Sequence, residues 1–246
     1  MGDPLSVSMQ LRVLTWNIHK GIGGLDRRYR LDRIVSVLRA IDPDVALLQE
    51  VADHWPSAGS CVQVEDLADQ TQLKHFAFSP EHRFKIGGYG NAVLSKLPIV
   101  DRTRIDLKIG WRKQRSALMA CISLPSAAPH SQLFVTSLHL GLAERERREQ
   151  LSRLFEIETH HSPSAPSILG GDFNDVFGTL EGRFMTEHGY QRLVPRKRSF
   201  PAILPVFCLD ALFGHQVCSR QTYIARCEGD QIASDHRPLV ADVELK

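Results

Sequence analysis

The stretch Gly170-Gly-Asp-Phe-Asn-Asp175 sets a carboxylate, an amide and a second carboxylate within four residues. It follows Pro166-Ser-Ile-Leu169, a short apolar run that reads as a buried strand. The two glycines are expected to let the backbone turn tightly and approach another group closely. Metal-assisted phosphate chemistry needs such an array, because hard oxygen atoms hold Mg²⁺ and an oriented carboxylate positions or deprotonates a water. A turn rich in Asp, Asn and Gly is also common after a strand, so the rest of the chain has to decide.

Further polar side chains fall in similar places. Asn17, Glu50, His139, Asp210 and the pair Asp235/His236 each sit at or beside the end of an apolar run. Burying any of them without a partner is costly. Strand ends that repeatedly present Asn, Glu, Asp or His imply that these ends meet at one rim. His236 taken alone reads as a satisfied core histidine. Asp235 beside it argues otherwise.

The elements that must position these groups follow from periodicity. Leu11–Asn17 alternates and is rich in β-formers, so it reads as a strand ending at Asn17. His19–Gly24 is a glycine-punctuated loop. Leu31, Ile34, Val35, Leu38 and Ile41 recur at helical spacing, and Pro43 stops that helix. Val45–Glu50 is a second strand, and Val64, Leu67, Ala68 and Thr71 mark a second helix. Strands are expected around 75–78, 91–95, 100–107, 116–124 and 133–137, with helix from Ala143 to about Thr159. Strand 168–171, a short helix near 180–188, a proline-rich loop over 192–205 and strands 209–213, 217–226 and 238–244 complete the chain. Residues 1–9 read as a flexible tail and 10–246 as a single domain, with helices outside two packed mixed sheets.

The 246 residues carry a net charge of only +2, so the basicity is local. It lies in Asp26–Arg33, Arg102–Arg115 and Arg196–Arg198, runs that are either solvated faces or the lining of a polyanion groove. The five cysteines are odd in number and form no CxxC pair, so mostly buried free thiols in a reducing compartment are expected. The start has no basic segment followed by a long apolar core, and no run approaches membrane-spanning length. A cytoplasmic monomer is the expectation. Signatures for serine hydrolases (GxSxG), zincins (HExxH) and nucleotide-binding loops (GxxxxGK[ST]) are missing.

The chain resembles the endonuclease/exonuclease/phosphatase superfamily, which includes DNase I, abasic-site endonucleases, sphingomyelinases and inositol-polyphosphate phosphatases. The matching stretches are Thr15-Trp-Asn17, Leu48-Gln-Glu50, Gly90-Asn-Ala-Val-Leu-Ser95, Thr136-Ser-Leu-His139, Gly170-Gly-Asp-Phe-Asn174, Leu209-Asp210 and Ser234-Asp-His236. Each is weak alone, and together in this order they are specific.

The resemblance implies a DNase I-like, four-layer α/β sandwich with its site at one edge of the two sheets. It implies Glu50 as the main Mg²⁺ ligand, with Mn²⁺ as substitute and Asn17 and Asp235 nearby. Asp172 and Asn174 would orient the attacking water and the phosphate. His236 would pair with Asp210, and His139 would face the scissile phosphate. His139 stands where abasic-site endonucleases usually have Tyr, and His19 where they carry an acidic residue. The chain is therefore more similar to the DNase I, sphingomyelinase and small bacterial branch.

Asn91, Arg112, Lys113 and Arg147 are the candidate substrate contacts. The run Glu144–Gln150 is either an exposed helix with i,i+4 ion pairs or a platform from which Arg147 or Arg148 reaches a phosphate. The expected activity is metal-dependent phosphodiester hydrolysis, with DNA as substrate and Tyr29, Trp111 and Phe200 available to stack on bases. A phospholipid, sphingomyelin-like or inositol-phosphate ester is the alternative, with Phe200–Phe207 as an exposed apolar loop. A non-catalytic binding module on this fold is a third reading.

Overall fold

The computed structural model describes residues 8–54, 62–126, 128–161, 165–180, 183–225 and 230–245. Strand β1 (Met9–Asn17), helix α1 (Leu31–Ile41), strand β2 (Val45–Asp53) and helix α2 (Gln63–Gln70) come first. Strands β3 (His75–Arg83), β4 (Gly88–Ser95), β5 (Ile99–Asp106), β6 (Ser116–Ser123) and β7 (Gln132–His139) run in succession up to helix α3 (Glu144–His161). Strand β8 (Ser167–Asp172), helix α4 (Arg183–Glu187), strands β9 (Gln191–Arg192), β10 (Asp210–His215) and β11 (Val217–Ile224), helix α5 (Asp230–Ala233) and strand β12 (Leu239–Leu245) follow.

The strands form two six-stranded sheets, ordered β11-β12-β1-β2-β4-β3 and β5-β6-β7-β8-β10-β9. Near the middle of each lies a parallel pair, β1 with β2 and β7 with β8. The other paired strands run antiparallel.

Alternation along the strands produces the layers. In β1, Leu11 and Val13 point into the core between the sheets, where they meet Leu118, Ala120 and Val135 of the second sheet. Leu14 and Trp16 point the other way and pack on Ile34, Val35 and Leu38 of α1 and Leu67 of α2. A third core joins Met119, Leu138, Leu169 and Phe213 to Leu151, Leu154 and Phe155 of α3. The result is helix, sheet, sheet, helix. No helix among the described residues is long and apolar enough to cross a membrane.

Helix α1 spans the interval its periodicity predicts. Asp42, in left-handed backbone (φ 50°), ends it by donating its N–H to the Leu38 carbonyl, and Pro43 follows. Other expectations need correction. Met9 is paired with Leu245, so ordered strand begins inside the expected tail, of which residues 1–7 lie outside the described ones. Strand β3 continues beyond Phe78 to Arg83 through Pro80, which an edge strand tolerates; the register shifts there. Gly170 and Gly171 make no turn, for both lie within β8.

These two glycines serve the other half of their expected role, close approach. A Cβ on Gly170 would meet Leu47 Cδ1 at 2.5 Å, and one on Gly171 would meet the Leu138 carbonyl oxygen at 1.9 Å. Among the described cysteines, Cys121 is buried, Cys208 partly buried and Cys218 exposed, and all three are free thiols. Cys61 and Cys227 lie outside the described residues.

Candidate active site

Strand direction explains why the polar residues meet. Asn17, His139 and Asp172 are the last residues of β1, β7 and β8, and Glu50 lies near the end of β2. These are the C-terminal ends of the two parallel pairs. Asp210 opens β10, which runs the other way, and it stands opposite Asp172 in register. Asp235 and His236 lead into β12, antiparallel to β1. All of them therefore arrive at the same edge. Asn17 Nδ2 donates to Asp172 Oδ2 (3.3 Å) and Gln49 Nε2 to Ser137 Oγ (3.0 Å), tying the two sheets together there.

Glu50 reaches this edge through a break in alternation. Leu48 and Val51 both pack against the helical layer, although they are three residues apart. The register with β4 shifts between them, and Glu50 takes a left-handed backbone with φ 54°. The bulge re-aims the carboxylate from the helical layer to the rim. Non-glycine residues in this conformation cost on the order of 1–2 kcal/mol. His19, Lys20 and Asn174 share it, so strained backbone gathers around the site.

The Asp210–His236 pair forms, with Asp210 Oδ2 accepting from His236 Nδ1 at 2.9 Å and from Ser199 Oγ at 2.5 Å. Trp16 Nε1 donates to the His236 carbonyl (2.8 Å), Ser234 Oγ donates to the Asn17 carbonyl (2.7 Å), and the Phe200 ring lies 4.8 Å from the imidazole. Burial opposes a charge on His236, but the charge and hydrogen bond of Asp210 outweigh it and push the imidazole up to about 10. His139 goes the other way. Burial first, then the nearby Arg115, hold it well below the usual histidine range, so it is neutral.

Asp172 Oδ2 stands 3.5 Å from His139 Nε2 and 3.8 Å from His236 Nε2. Burial pushes Asp172 upward, the His236 charge opposes this, and Asp210 adds to it. Its other oxygen accepts the Asn174 N–H at 3.1 Å, while Asn174 Nδ2 donates to the Leu140 carbonyl.

These groups open on a cavity of about 550 Å³, a size suited to a small ligand or one unit of a polymer. Arg112, Lys113 and Arg115 form its basic wall, with Leu142, Phe200 and Leu209 as apolar lining. Arg115 is buried and pairs with Glu81 (2.9 Å). Asn91 and Arg147 sit behind the walls. Asn91 is fully buried and donates to the Ser116 carbonyl, and Arg147 donates to the Leu142 carbonyl and lies 3.5 Å from Asp175. Both hold the frame, which corrects their reading as substrate contacts. In α3, Arg148 does form the i,i+4 pair with Glu144 (3.1 Å).

Two donor groups invite a metal. Ligand-type atoms of Asp172, Asp210 and His236 lie within 4.8 Å of one another, but an imidazolium at His236 has no lone pair to give. Glu50, Asp235 and Asn17 offer hard oxygens on the same cavity, the donor set for Mg²⁺ or Mn²⁺. Burial opposes the Glu50 charge, yet the Lys20 ammonium beside it brings the carboxyl down to about 2. The position is built for a cation, so the residues fit the metal.

Sequence reasoning passed over Lys20, Ser199 and the structural part of Trp16. Ser199 immediately precedes Phe200, and only the fold shows that this segment faces Asp210.

A family model described as the Endonuclease/Exonuclease/phosphatase family matches residues 14–236. The chain belongs to this family. Its members are generally hydrolases of phosphoester bonds. The chain is 29% identical over 249 residues to protein YbhP of Escherichia coli K12, covering 95% of this chain and 96% of that one. The structure of an endonuclease/exonuclease/phosphatase from Beutenbergia cavernae superposes with a TM-score of 0.80 at 23% identity, over 96% of this chain and 72% of that one. The catalytic domain of human nocturnin, solved with a bound sulfate anion, gives 0.75 at 20% identity over 95% and 94% of the two chains. The fold is that of the family, with two six-stranded mixed sheets flanked by helices.

Proposed function

We propose that the protein is a divalent-metal-dependent phosphodiesterase that hydrolyses DNA by in-line attack of water. One observation carries this reading: His236, backed by the buried Asp210, lines one cavity together with Asp172, the neutral His139 and the basic wall of Arg112, Lys113 and Arg115. Asp172, when ionised, accepts the proton of the attacking water, and Asn174 fixes its neighbourhood. His236, held protonated by Asp210, donates Nε2–H to a phosphate oxygen as negative charge develops. His139, neutral, supplies a second N–H. A Mg²⁺ or Mn²⁺ ion at Glu50, Asp235 and Asn17 would neutralise charge on the phosphate and leaving oxygens.

A second substrate reading has its own observation. Trp111 (99% exposed), Phe177 (87%) and Leu142 (76%) lie on or within three residues of cavity-lining positions. Leu204 and Val206 are exposed in the loop that pairs Phe200 with Phe207. The aliphatic Leu142, Leu204 and Val206 gain little from bases and more from acyl chains, which favours a phospholipid ester. The deciding experiment compares plasmid DNA, single-stranded DNA, RNA, phospholipid vesicles and inositol phosphates, each with Mg²⁺, Mn²⁺ or EDTA. Metal-dependent cleavage of DNA supports the first reading. Cleavage of phospholipid alone replaces it with the second.

A further inference from the structure

The side chain facing Glu50 is not a ligand but another cation. Lys20 Nζ is paired with Glu50 Oε2, and both side chains are largely shielded from solvent. The same ammonium lies 4.9 Å from the centre of the Tyr89 ring, whose face adds a second attraction for positive charge. Its backbone is held for the purpose. His19, Lys20 and Gly21 are consecutive left-handed residues with φ of 46°, 61° and 73°. Gln63 latches this turn to β2, donating Nε2–H to the Lys20 carbonyl (3.1 Å) and accepting the Ala52 N–H (2.8 Å). A side chain on Gly21 would meet Gln63 Nε2 at 2.8 Å, so the latch needs glycine there. Two non-glycine residues, Lys20 and Glu50, thus adopt an unfavourable backbone from neighbouring segments, and their side chains meet.

We infer that Lys20 is a positioning residue, the resident counter-ion of Glu50, which a divalent cation must displace and which therefore sets the metal affinity of the site. The inference rests on the metal-dependent reading above. A buried carboxylate without a partner would take up a proton or turn away. The Lys20 ammonium is that partner, and it holds the Glu50 carboxylate aimed at the cavity. A Mg²⁺ or Mn²⁺ ion would compete with this ammonium for the Glu50 carboxylate and would be repelled by its charge. The metal thereby loses part of its binding energy to a contact already made, so it is held less tightly and exchanges more readily.

Metal binding without substrate tests this. Mn²⁺ is titrated into the wild-type protein, Lys20→Met and Lys20→Gln by calorimetry and by electron paramagnetic resonance, after circular dichroism has shown each to be folded. Both neutral variants are expected to bind Mn²⁺ roughly tenfold more tightly, equivalent to about 1.4 kcal/mol. Lys20→Arg, which keeps the charge, should stay near wild type. Metal-free Lys20→Met should melt at a lower temperature and be stabilised more by Mn²⁺ than the wild type is. Equal or weaker binding by folded Lys20→Met and Lys20→Gln overturns this inference alone. No Mn²⁺ binding by any of the proteins overturns it together with the metal-dependent reading.

Discussion

His139 and His236 approach the same carboxylate oxygen, at 3.5 and 3.8 Å, yet one is neutral and the other protonated. Titratable groups driven apart by their surroundings are the mark of assigned acid and base roles. The partner decides which is which, because His236 has Asp210 while His139 Nδ1 has no hydrogen-bond partner among the described residues. With the imidazolium kept to about pH 10, activity should persist well above pH 7 before it falls. Asp210→Asn should move that descending limb toward the ordinary histidine range, as read from kcat against pH. The stability sign follows from the same shift. The folded pKa lies above the unfolded value of about 6.5, so the contribution is full below that pH and is lost as pH rises through about 10. Urea unfolding at several alkaline pH values measures this, and a wild type as stable at pH 10 as at pH 6 relative to Asp210→Asn would contradict it. His236→Ala should lower kcat by roughly 10²–10⁴-fold with little change in KM. Adding Asp210→Asn should cost little more, and multiplicative losses in folded protein would show that the two act separately. The pair was legible through the family resemblance, which implies it; either residue alone has a bland explanation as a satisfied buried polar group. Ser199 and Lys20 were not, since a serine in a loop and a lysine after a histidine acquire meaning only from what the fold sets opposite them.

At the level of elements, the sequence shows alternation but not where alternation breaks. Val45–Glu50 reads as a plain strand, though it runs on to Asp53, and a strict period of two would send Glu50 to the same face as Leu48. The bulge opposite β4 reverses that, and no residue type in the segment announces it. The glycine pair before Asp172 is expected to serve both a turn and a close approach, and only the second holds, since close approach of backbone to backbone asks for glycine as firmly as a turn does. Gly171→Ala tests the point. Its Cβ would meet the Leu138 carbonyl oxygen of the neighbouring strand, so β7 and β8 would have to separate where they carry His139 and Asp172. Destabilisation of at least about 1–3 kcal/mol is expected from urea unfolding, with a loss of kcat in the fraction that folds. Wild-type stability would mean that the strands part easily and that β8 is not the rigid centre of the site.

The whole molecule has almost no net charge, +2 over 246 residues, so any attraction for a polyanion must come from its local field. That field is narrow. Arg115 is spent on Glu81, and Arg112 lies 3.6 Å from Glu146. Burial, followed by the charge of Arg115, lowers the Lys113 pKa. A DNA strand entering this cavity would release few counterions, giving a shallow salt dependence. Each phosphate neutralised contributes a slope of roughly 0.7–0.9 in log affinity against log salt, so two wall residues correspond to a slope of about 1–2. Reversing both charges, with Arg112→Glu and Lys113→Glu, should abolish most of that slope and weaken DNA binding far more than it slows hydrolysis of bis(p-nitrophenyl) phosphate, which is too small to span the wall. Fluorescence anisotropy with labelled DNA at several salt concentrations reads the first effect, and steady-state rates read the second. Affinity for DNA that ignores both salt and charge reversal would shift the weight to the exposed Trp111, Leu142 and Phe177. In that case Leu142→Ser with Phe177→Ser should release the protein from phospholipid vesicles while its rate on the small diester stays measurable.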